Sequence, residues 1–249
     1  MLPRQTLPAV LTALALVLPG CEAEPKRTET PPPAKAAETQ ETSVKPGINK
    51  TFLDPELDVD SFVKRWEVES REIYVHREAI LAALKLEPGQ AIADIGTGTG
   101  LYLKPFADAV GPKGRVYAVD ISPRFLAHVR ERVKTEALNT VSVVEGGERE
   151  ARLKPDSVDA AFVCDTYHHF EYPQSMLASL RSALKPNGLL AIIDFERIPG
   201  VSSDWVMGHV RAGKATVIKE VEAAGFKLEK EVQGTGLEEN YMLRFRKTG

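Results

Sequence analysis

The stretch Asp94-Ile95-Gly96-Thr97-Gly98-Thr99-Gly100 decides the fold of this chain. An apolar run at residues 91–95 predicts a buried strand that leads into it, and residues 101–110 predict a helix that follows it. Glycines at a strand-to-helix turn let the backbone turn tightly and let a ligand approach the main chain. The stretch therefore predicts a ligand-binding turn at the carboxyl end of the first strand of an α/β sheet.

Strand and helix patterns alternate through the rest of the folded part. Apolar residues at helical spacing, among them Phe62, Trp66, Ile73 and Ile80, predict one or two helices ahead of the sheet. The pattern predicts strands at residues 91–95, 115–119, 141–145, 158–164 and 189–195, and helices at 101–110, 123–137, 175–184 and 215–224. Residues 226–232 and 241–246 predict a terminal antiparallel pair. This order specifies a doubly wound, seven-stranded, mostly parallel Rossmann-like sheet.

Composition narrows the possible functions. The chain has 249 residues, of which 43% are hydrophobic, enough for one core of about 200 residues. Its net charge of −3 makes nucleic acid a poor default partner, because phosphate-tracking surfaces need clustered positive charge. The two cysteines, Cys21 and Cys164, are too few for a zinc site or a disulfide framework, so we expect no metal site.

The amino terminus has the layout of an export signal. Residues 1–21 combine Arg4 with a short apolar run and end in Leu18-Pro19-Gly20-Cys21, which resembles a bacterial lipoprotein signal whose cysteine is lipidated. A mis-assigned start codon and a plain secretory signal with an incidental cysteine are the alternatives. The signal predicts an exported protein held at a membrane through Cys21, facing the periplasm or cell exterior; a cytoplasmic location is the other interpretation.

Residues 22–50 differ in composition from the rest of the chain. They contain five prolines and five glutamates but no aromatic residue. Such a segment buries too little apolar surface to offset its ordering entropy, so it predicts a disordered tether. The folded domain is then expected at residues 51–249.

The glycine-rich turn departs from two common nucleotide motifs. The dinucleotide fingerprint needs glycine where this chain has Leu101, and the P-loop ending is absent. The turn instead resembles motif I of the class I S-adenosylmethionine-dependent methyltransferases, an acidic residue followed by Gly-x-Gly-x-Gly. The resemblance implies S-adenosylmethionine as cofactor, with contacts from Asp94, Gly96, Thr97, Gly98 and Gly100.

Later positions extend this resemblance along nearly the whole folded part. Asp120 ends the second strand where the family's carboxylate accepts hydrogen bonds from the ribose hydroxyls, and Ile121 is then expected against adenine. The family's usual aspartate after the third strand is replaced by Gly147, so Glu148 is the substitute, unless apolar contacts and backbone hold the adenine. Asp165 after the fourth strand completes the expected cofactor site.

One cofactor contact is expected ahead of the sheet. Arg71, Tyr74 and Arg77 share a helix face that could cover the cofactor, and Tyr74 is the residue we select. A face packed against the sheet is the alternative interpretation.

Acceptor chemistry is expected at the carboxyl ends of strands four and five. A histidine titrates in the range that suits proton removal, so His169 is predicted as the base and His168 as the second candidate. Capping a helix or packing beneath the cofactor is the alternative role. An anionic acceptor is predicted to contact four residues near strand five, namely Arg197, His209, Arg211 and Lys214. A solvated basic loop is the alternative there.

Together these features predict an S-adenosylmethionine-dependent methyltransferase acting on a small molecule. An exported lipoprotein that uses the fold as a non-catalytic binding module is the main alternative, and a nicotinamide-linked oxidoreductase is a third.

Overall fold

The computed structural model describes residues 41–249. Seven strands form one sheet in the order β3-β2-β1-β4-β5-β7-β6. The strands are β1 Ala91–Ile95, β2 Arg115–Asp120, β3 Val141–Glu145, β4 Val158–Cys164, β5 Leu184–Phe195, β6 Phe226–Glu231 and β7 Asn240–Lys247. Strands β1 to β5 pair in parallel, while β7 pairs antiparallel with both β5 and β6. The doubly wound, mostly parallel sheet with a terminal antiparallel pair is confirmed.

Eight helices accompany the sheet in the described part of the chain. They are α1 Val59–Trp66, α2 Glu72–Val75, α3 Arg77–Leu84, α4 Leu103–Val110, α5 Pro123–Thr135, α6 Pro173–Ala183, α7 Asp204–His209 and α8 Lys214–Ala223, with a 3-10 turn at Tyr167–His169. Three short helices, rather than one or two, precede the sheet. Helix α5 begins as its sequence predicts, because the Ser122 side chain accepts a hydrogen bond from Phe125 N and Pro123 occupies the first turn.

One predicted helix end differs from the structure. Helix α6 ends at Ala183, and Leu184 already pairs with Val158 of β4. The turn Pro186-Asn187-Gly188 therefore lies within β5 rather than between the helix and the strand, with Asn187 in the left-handed region at φ 59°. Tertiary pairing with β4 decides this boundary.

The sheet is covered on both faces by apolar layers. One layer includes Val163, Leu177 and Leu243, and the other includes Ile92 and Phe106. Central strands that are buried on both faces require continuous apolar runs, as β4 and β5 show. The polar residues at the carboxyl ends of these strands therefore stand out as candidates for function.

Residues 41–50 belong to the folded unit, so the predicted tether is wrong for this part of the chain. The Glu41 carboxylate accepts hydrogen bonds from the backbone N–H groups of Gln174 and Ser175 at 2.8 and 2.7 Å. Val44 N donates to Glu171 O at 3.0 Å. Polar contacts to helix ends and turns, rather than burial of apolar surface, order this segment.

The remainder of the predicted tether, the predicted signal and Cys21 lie outside the described residues. Within residues 41–249, no helix is long and apolar enough to cross a membrane.

Replacing Glu41 with alanine tests the docking of this segment. The Glu41→Ala variant should lose about 0.5 to 2 kcal/mol of unfolding free energy, because two amide groups in the first turn of α6 lose their acceptor. Urea unfolding measures this loss, and Glu56→Ala at an exposed position is the matched control. Equal stability of the two variants would show that the segment is not docked in solution.

Candidate functional site

The candidate site is a pocket at the carboxyl ends of β1, β2 and β4, with a volume of about 480 Å³. The strand order changes direction here, since β2 and β4 leave on opposite sides of β1. Open α/β sheets bind ligands at such a switch point. The pocket brings together the glycine-rich turn, the acidic strand ends and three histidines.

The glycine-rich turn needs its glycines for steric reasons. Gly96 has φ 71°, and a Cβ there would lie 2.3 Å from the Thr166 side chain. Gly98 has φ 52°, and a Cβ there would lie 3.0 Å from the ring of Trp66. Both positions combine a left-handed backbone with a close neighbour, so a side chain would strain the turn and narrow the pocket.

Asp120 ties this turn to the end of β2. Its Oδ2 accepts a hydrogen bond from Gly98 N at 2.8 Å, and its Oδ1 accepts one from Ser122 N at 2.8 Å. Burial raises the pKa of Asp120, while these backbone hydrogen bonds oppose the rise. A carboxylate has about four acceptor positions, so Asp120 keeps capacity for a ligand. Ile121 lines the pocket beside it.

Asp94 is a second buried carboxyl group in the pocket. It accepts a hydrogen bond from Thr97 Oγ1 at 2.7 Å. Burial raises the pKa of Asp94 to about 7, with a further rise from the nearby charge of Asp120. The Asp94 side chain therefore exchanges a proton near neutral pH.

Asp165 is the third acidic group, and Arg71 is its partner. The guanidinium of Arg71 donates to Asp165 Oδ2, and the Asn240 side chain donates to Oδ1. Burial raises the pKa of Asp165 to about 6, with Arg71 opposing the rise. Three buried carboxyl groups in one pocket favour a ligand that carries positive charge.

Of the three residues expected on the pre-sheet helix face, only Arg71 lines the pocket. Tyr74 lies beneath the Arg77 guanidinium, 4.7 Å from its ring centroid, and does not line the pocket. The predicted contact of Tyr74 with a ligand therefore stays a prediction that the pocket lining does not support.

Most of the other expected cofactor residues line the pocket, namely Asp94, Gly96, Thr97, Gly98, Asp120, Ile121, Glu148 and Asp165. Gly100 does not. It has φ 85°, and a Cβ there would lie 2.8 Å from Leu103, so the turn that leads into α4 requires glycine at this position.

Three histidines form one end of the pocket. His168 Nδ1 lies 2.7 Å from Asp194 Oδ1, and His169 Nε2 lies 3.3 Å from His209 Nε2. One ring nitrogen from each histidine lies within 4.8 Å of the others. Asp194 is 1% exposed and was not among the expected site residues, although its place near the carboxyl end of an apolar strand could have indicated it. His209 is 40 residues away from His169, so the sequence did not link it to the two histidines that follow β4.

The structure argues against His169 as a free base. Burial, the positive charge of His168 and His209 in their protonated forms, and Lys45 lower the pKa of His169 to about 2. Such an imidazole stays neutral and takes up a proton poorly at neutral pH. Its Nδ1 is buried and has no hydrogen-bond partner among the described residues.

The predicted cationic clamp for an anionic acceptor is not formed. Arg211 makes two hydrogen bonds of 2.9 Å to Glu220, and Lys214 pairs with Glu196 and Glu231. Arg197 donates to two backbone carbonyl groups, those of Met207 and Val210. Neighbouring acceptors occupy these three side chains, and none of them lines the pocket, whereas His209 does.

Aromatic side chains that the sequence did not assign to the site form one wall. They are Phe52, Phe62, Trp66 and Phe125, whose ring centroids lie 4.7 to 6.3 Å apart. The Phe52 ring also meets His169 edge-on at 5.0 Å. Helical spacing identified Phe62 and Trp66 as apolar positions, but it could not show that their rings face the pocket.

Comparisons with known proteins agree with this geometry. A family model described as a methyltransferase domain matches residues 93–190. A solved S-adenosylmethionine-dependent methyltransferase from Aquifex aeolicus superposes with a TM-score of 0.66 at 26% identity, covering 75% of this chain and 97% of that one. The chain is thus similar to methyltransferases, in sequence over residues 93–190 and in fold over three quarters of its length.

Two relatives match a shorter stretch. The ubiquinone/menaquinone biosynthesis C-methyltransferase UbiE of Burkholderia mallei is 30% identical over 118 residues, which cover 47% of this chain and 48% of that protein. An uncharacterized 37.1 kDa protein in transposon TN4556 of Streptomyces fradiae is 34% identical over 117 residues, 47% of this chain and 33% of that protein. The matches thus span at most about half the length of these relatives.

The pKa of Asp94 gives a pH-dependent stability. The folded chain keeps the Asp94 proton up to about pH 7, whereas the unfolded chain loses it near 3.8. The unfolded state therefore binds fewer protons between these values, and stability falls as pH rises through them. The Asp94→Asn variant keeps a hydrogen-bond acceptor for the Thr97 hydroxyl. Because it has no carboxyl group at this position, its stability should not fall with pH for this reason.

The unfolding free energy of Asp94→Asn, measured relative to that of the unsubstituted protein, should increase by up to roughly 4 kcal/mol between pH 4 and 7. Urea unfolding at both pH values measures the change. A constant difference between the two proteins would contradict the assigned protonation of Asp94.

Proposed function

We propose that this protein is an S-adenosylmethionine-dependent methyltransferase that acts on a small molecule. The observation that carries the proposal is the buried Asp120 carboxylate, held by Gly98 N and Ser122 N beside a glycine turn with no room for Cβ atoms. A carboxylate with spare acceptor capacity at a strand end suits the two hydroxyl groups of a ribose. The family match and the Aquifex aeolicus structure support the same cofactor.

The pocket's chemistry fits S-adenosylmethionine in two further respects. The glycine turn lines the pocket with main chain at Gly96 and Gly98, because Thr166 and Trp66 leave no room for side chains there. The carboxyl groups of Asp94 and Asp165 suit the positive charges of the amino acid part and the sulfonium. When bound, this cofactor supplies an electrophilic methyl group.

The chain's own residues then have distinct roles. Asp120 would hold the ribose, Ile121 and Glu148 would lie beside the adenine, and Asp94 would hold the amino acid part near Thr97. Trp66 lies over Gly98 and would exclude water from the cofactor. These groups fix the methyl donor so that an acceptor can approach in line with its sulfur–methyl bond.

The acceptor would bind at the histidine end of the pocket. Phe52 meets His169 at 5.0 Å, and Trp205 stacks on His209 at 4.7 Å, so aromatic rings flank the three histidines. Such walls suit a small acceptor with an apolar or aromatic body and a polar group directed at the histidines. The Burkholderia mallei relative is a C-methyltransferase of ubiquinone/menaquinone biosynthesis, which supports an acceptor of small size.

His168 is a better candidate than His169 for directing the acceptor's polar group. Asp194 fixes the His168 ring through Nδ1, and Nε2 has no hydrogen-bond partner among residues 41–249. The non-catalytic binding module is not favoured, because these oriented imidazoles share the pocket with the cofactor residues.

The Asp120→Asn variant tests the cofactor assignment. It keeps the size of the side chain but removes its charge, so S-adenosylhomocysteine binding should weaken roughly 10- to 150-fold, the loss of about 1.5 to 3 kcal/mol expected for hydrogen bonds to a charged group. Titration calorimetry measures the affinity. Asp108→Asn, which changes an exposed carboxylate on α4, is the matched control.

Unchanged affinity in folded Asp120→Asn would remove Asp120 from the cofactor site. Fluorescence gives a second readout, because the chain has two tryptophans and Trp66 lies over the glycine turn.

Export and lipidation at Cys21 also belong to this proposal. The support is the sequence at residues 1–21, and the proposal carries a question of cofactor supply, since S-adenosylmethionine is made in the cytoplasm.

Cells that express the full chain and are fed radioactive palmitate test this. We expect labelled, membrane-bound protein, and we expect Cys21→Ser to lose the label. Unlabelled protein in the soluble fraction would instead support the cytoplasmic alternative.

A further inference from the structure

We infer that His168, His169 and His209 form a binding site for one divalent transition-metal ion, with Zn²⁺ as the simplest probe. The three imidazoles meet at the acceptor end of the pocket, and one nitrogen from each lies within 4.8 Å of the others. Imidazole nitrogen is a donor that suits zinc, copper, nickel and iron. The chain has five histidines in all, and three of them meet at this point.

The spacing of two ring nitrogens matches a shared metal ion. Two nitrogens at about 2.0 to 2.1 Å from a tetrahedral zinc ion lie roughly 3.3 to 3.4 Å from each other. His169 Nε2 and His209 Nε2 lie 3.3 Å apart, which is long for a hydrogen bond between two imidazoles. The ring nitrogens of all three histidines lie within 4.8 Å of one another, so the ligands need to approach by at most about 1.4 Å to share one ion.

A buried carboxylate orients one ligand as metal sites require. His168 Nδ1 faces Asp194 Oδ1 at 2.7 Å, which leaves Nε2 as the nitrogen that can bind a metal. Asp194 is itself fixed, because it accepts hydrogen bonds from His168 N and Phe195 N at 2.9 and 2.8 Å. Histidines that bind metals usually donate their other ring N–H to such a carboxylate. This arrangement is independent of the nitrogen spacing.

The chain also fixes the elements that carry the other two ligands. Asn49 donates to His169 O at 3.1 Å, and Lys45 donates to the carbonyl groups of Gly208 and His209 at 3.1 and 2.6 Å. Residues 41–50 therefore join the turn after β4 to the end of α7. Four charged groups lie near the cluster, namely the Asp194 carboxylate, the Lys45 ammonium and the ion pair of Asp165 with Arg71.

The metal site itself is inferred from geometry, and only its role toward the acceptor rests on the proposed function. Three neutral ligands would leave a tetrahedral ion one open position, and because all three histidines line the pocket, an acceptor bound there could occupy it. A dication lowers the pKa of an O–H or S–H group that binds it. The acceptor class is then a small, largely apolar molecule with an oxygen or sulfur donor that the ion can bind.

Calorimetric titration of Zn²⁺ into the purified full chain tests the site, in a Cys21→Ser background that removes the amino-terminal thiol. We expect one bound ion per chain. His209→Gln, at a half-buried position on α7, should weaken binding at least tenfold, and His128→Gln on α5 should not. Asp194→Asn should weaken binding roughly 10- to 100-fold without removing a ligand. Equal affinity of His209→Gln and His128→Gln, or no bound ion, would overturn the inference.

Tryptophan fluorescence separates this site from the cofactor site. Trp205 stacks on His209 at 4.7 Å, whereas Trp66 lies over Gly98. A paramagnetic ion such as Cu²⁺ should therefore quench Trp66→Phe, which retains Trp205, more strongly than Trp205→Phe. Quenching that is equal in the two variants would count against a metal at His209.

The same pair of variants reports the cofactor. S-adenosylhomocysteine should change the emission of Trp205→Phe, which retains Trp66. Metal binding without a response to S-adenosylhomocysteine would contradict the proposed function and leave the metal site in place. A response to S-adenosylhomocysteine without metal binding would remove the metal site alone.

Discussion

The hydrogen bonds between Asp120 and the amides of Gly98 and Ser122 are the interaction on which the site depends. They join the carboxyl end of β2 to the glycine turn after β1 and to the first residues before α5. Gly96 N and Thr97 N add to this connection by donating to Val119 O. Two strands and two helix starts are thereby held at one point, so the pocket floor has a defined shape before any ligand arrives.

That arrangement places several carboxyl groups in the pocket, where burial limits their contact with water. Asp94 and Asp165 have pKa values raised to about 7 and about 6, chiefly by burial. Only Asp165 has a cationic partner, Arg71, while Asp94 is held by the Thr97 hydroxyl. A cationic ligand would favour the charged form of both carboxyl groups and would release protons as it binds.

The opposite end of the pocket has a different character. Imidazoles and aromatic rings replace carboxyl groups, and residues 41–50 extend across this end through Lys45 and Asn49. The division into an acidic end and a histidine end supports the proposed reaction between a cationic donor and a less polar acceptor. The cationic side chains Arg211 and Lys214, by contrast, stabilise the region around α8 through pairs with glutamates.

The sequence by itself determined the sheet, the glycine turn and the acidic strand ends. Local patterns suffice for these features, because strand and helix periodicity, the spacing of Gly96, Gly98 and Gly100, and the place of Asp120 at a strand end can all be read from consecutive residues. The long apolar runs of β4 and β5 likewise predict strands that are covered on both faces.

Tertiary structure alone decided which side chains meet. Asp194 and His168 are 26 residues apart, and His169 and His209 are 40 residues apart, so no local pattern links them. Composition suggested a tether at residues 41–50, but their polar groups find partners on α6 and α7 that appear only once the sheet has formed. The sequence likewise shows that Arg211 is positively charged, but it does not show that Glu220 is its partner. A side chain's role depends on its neighbours in space, and long-range packing selects those neighbours.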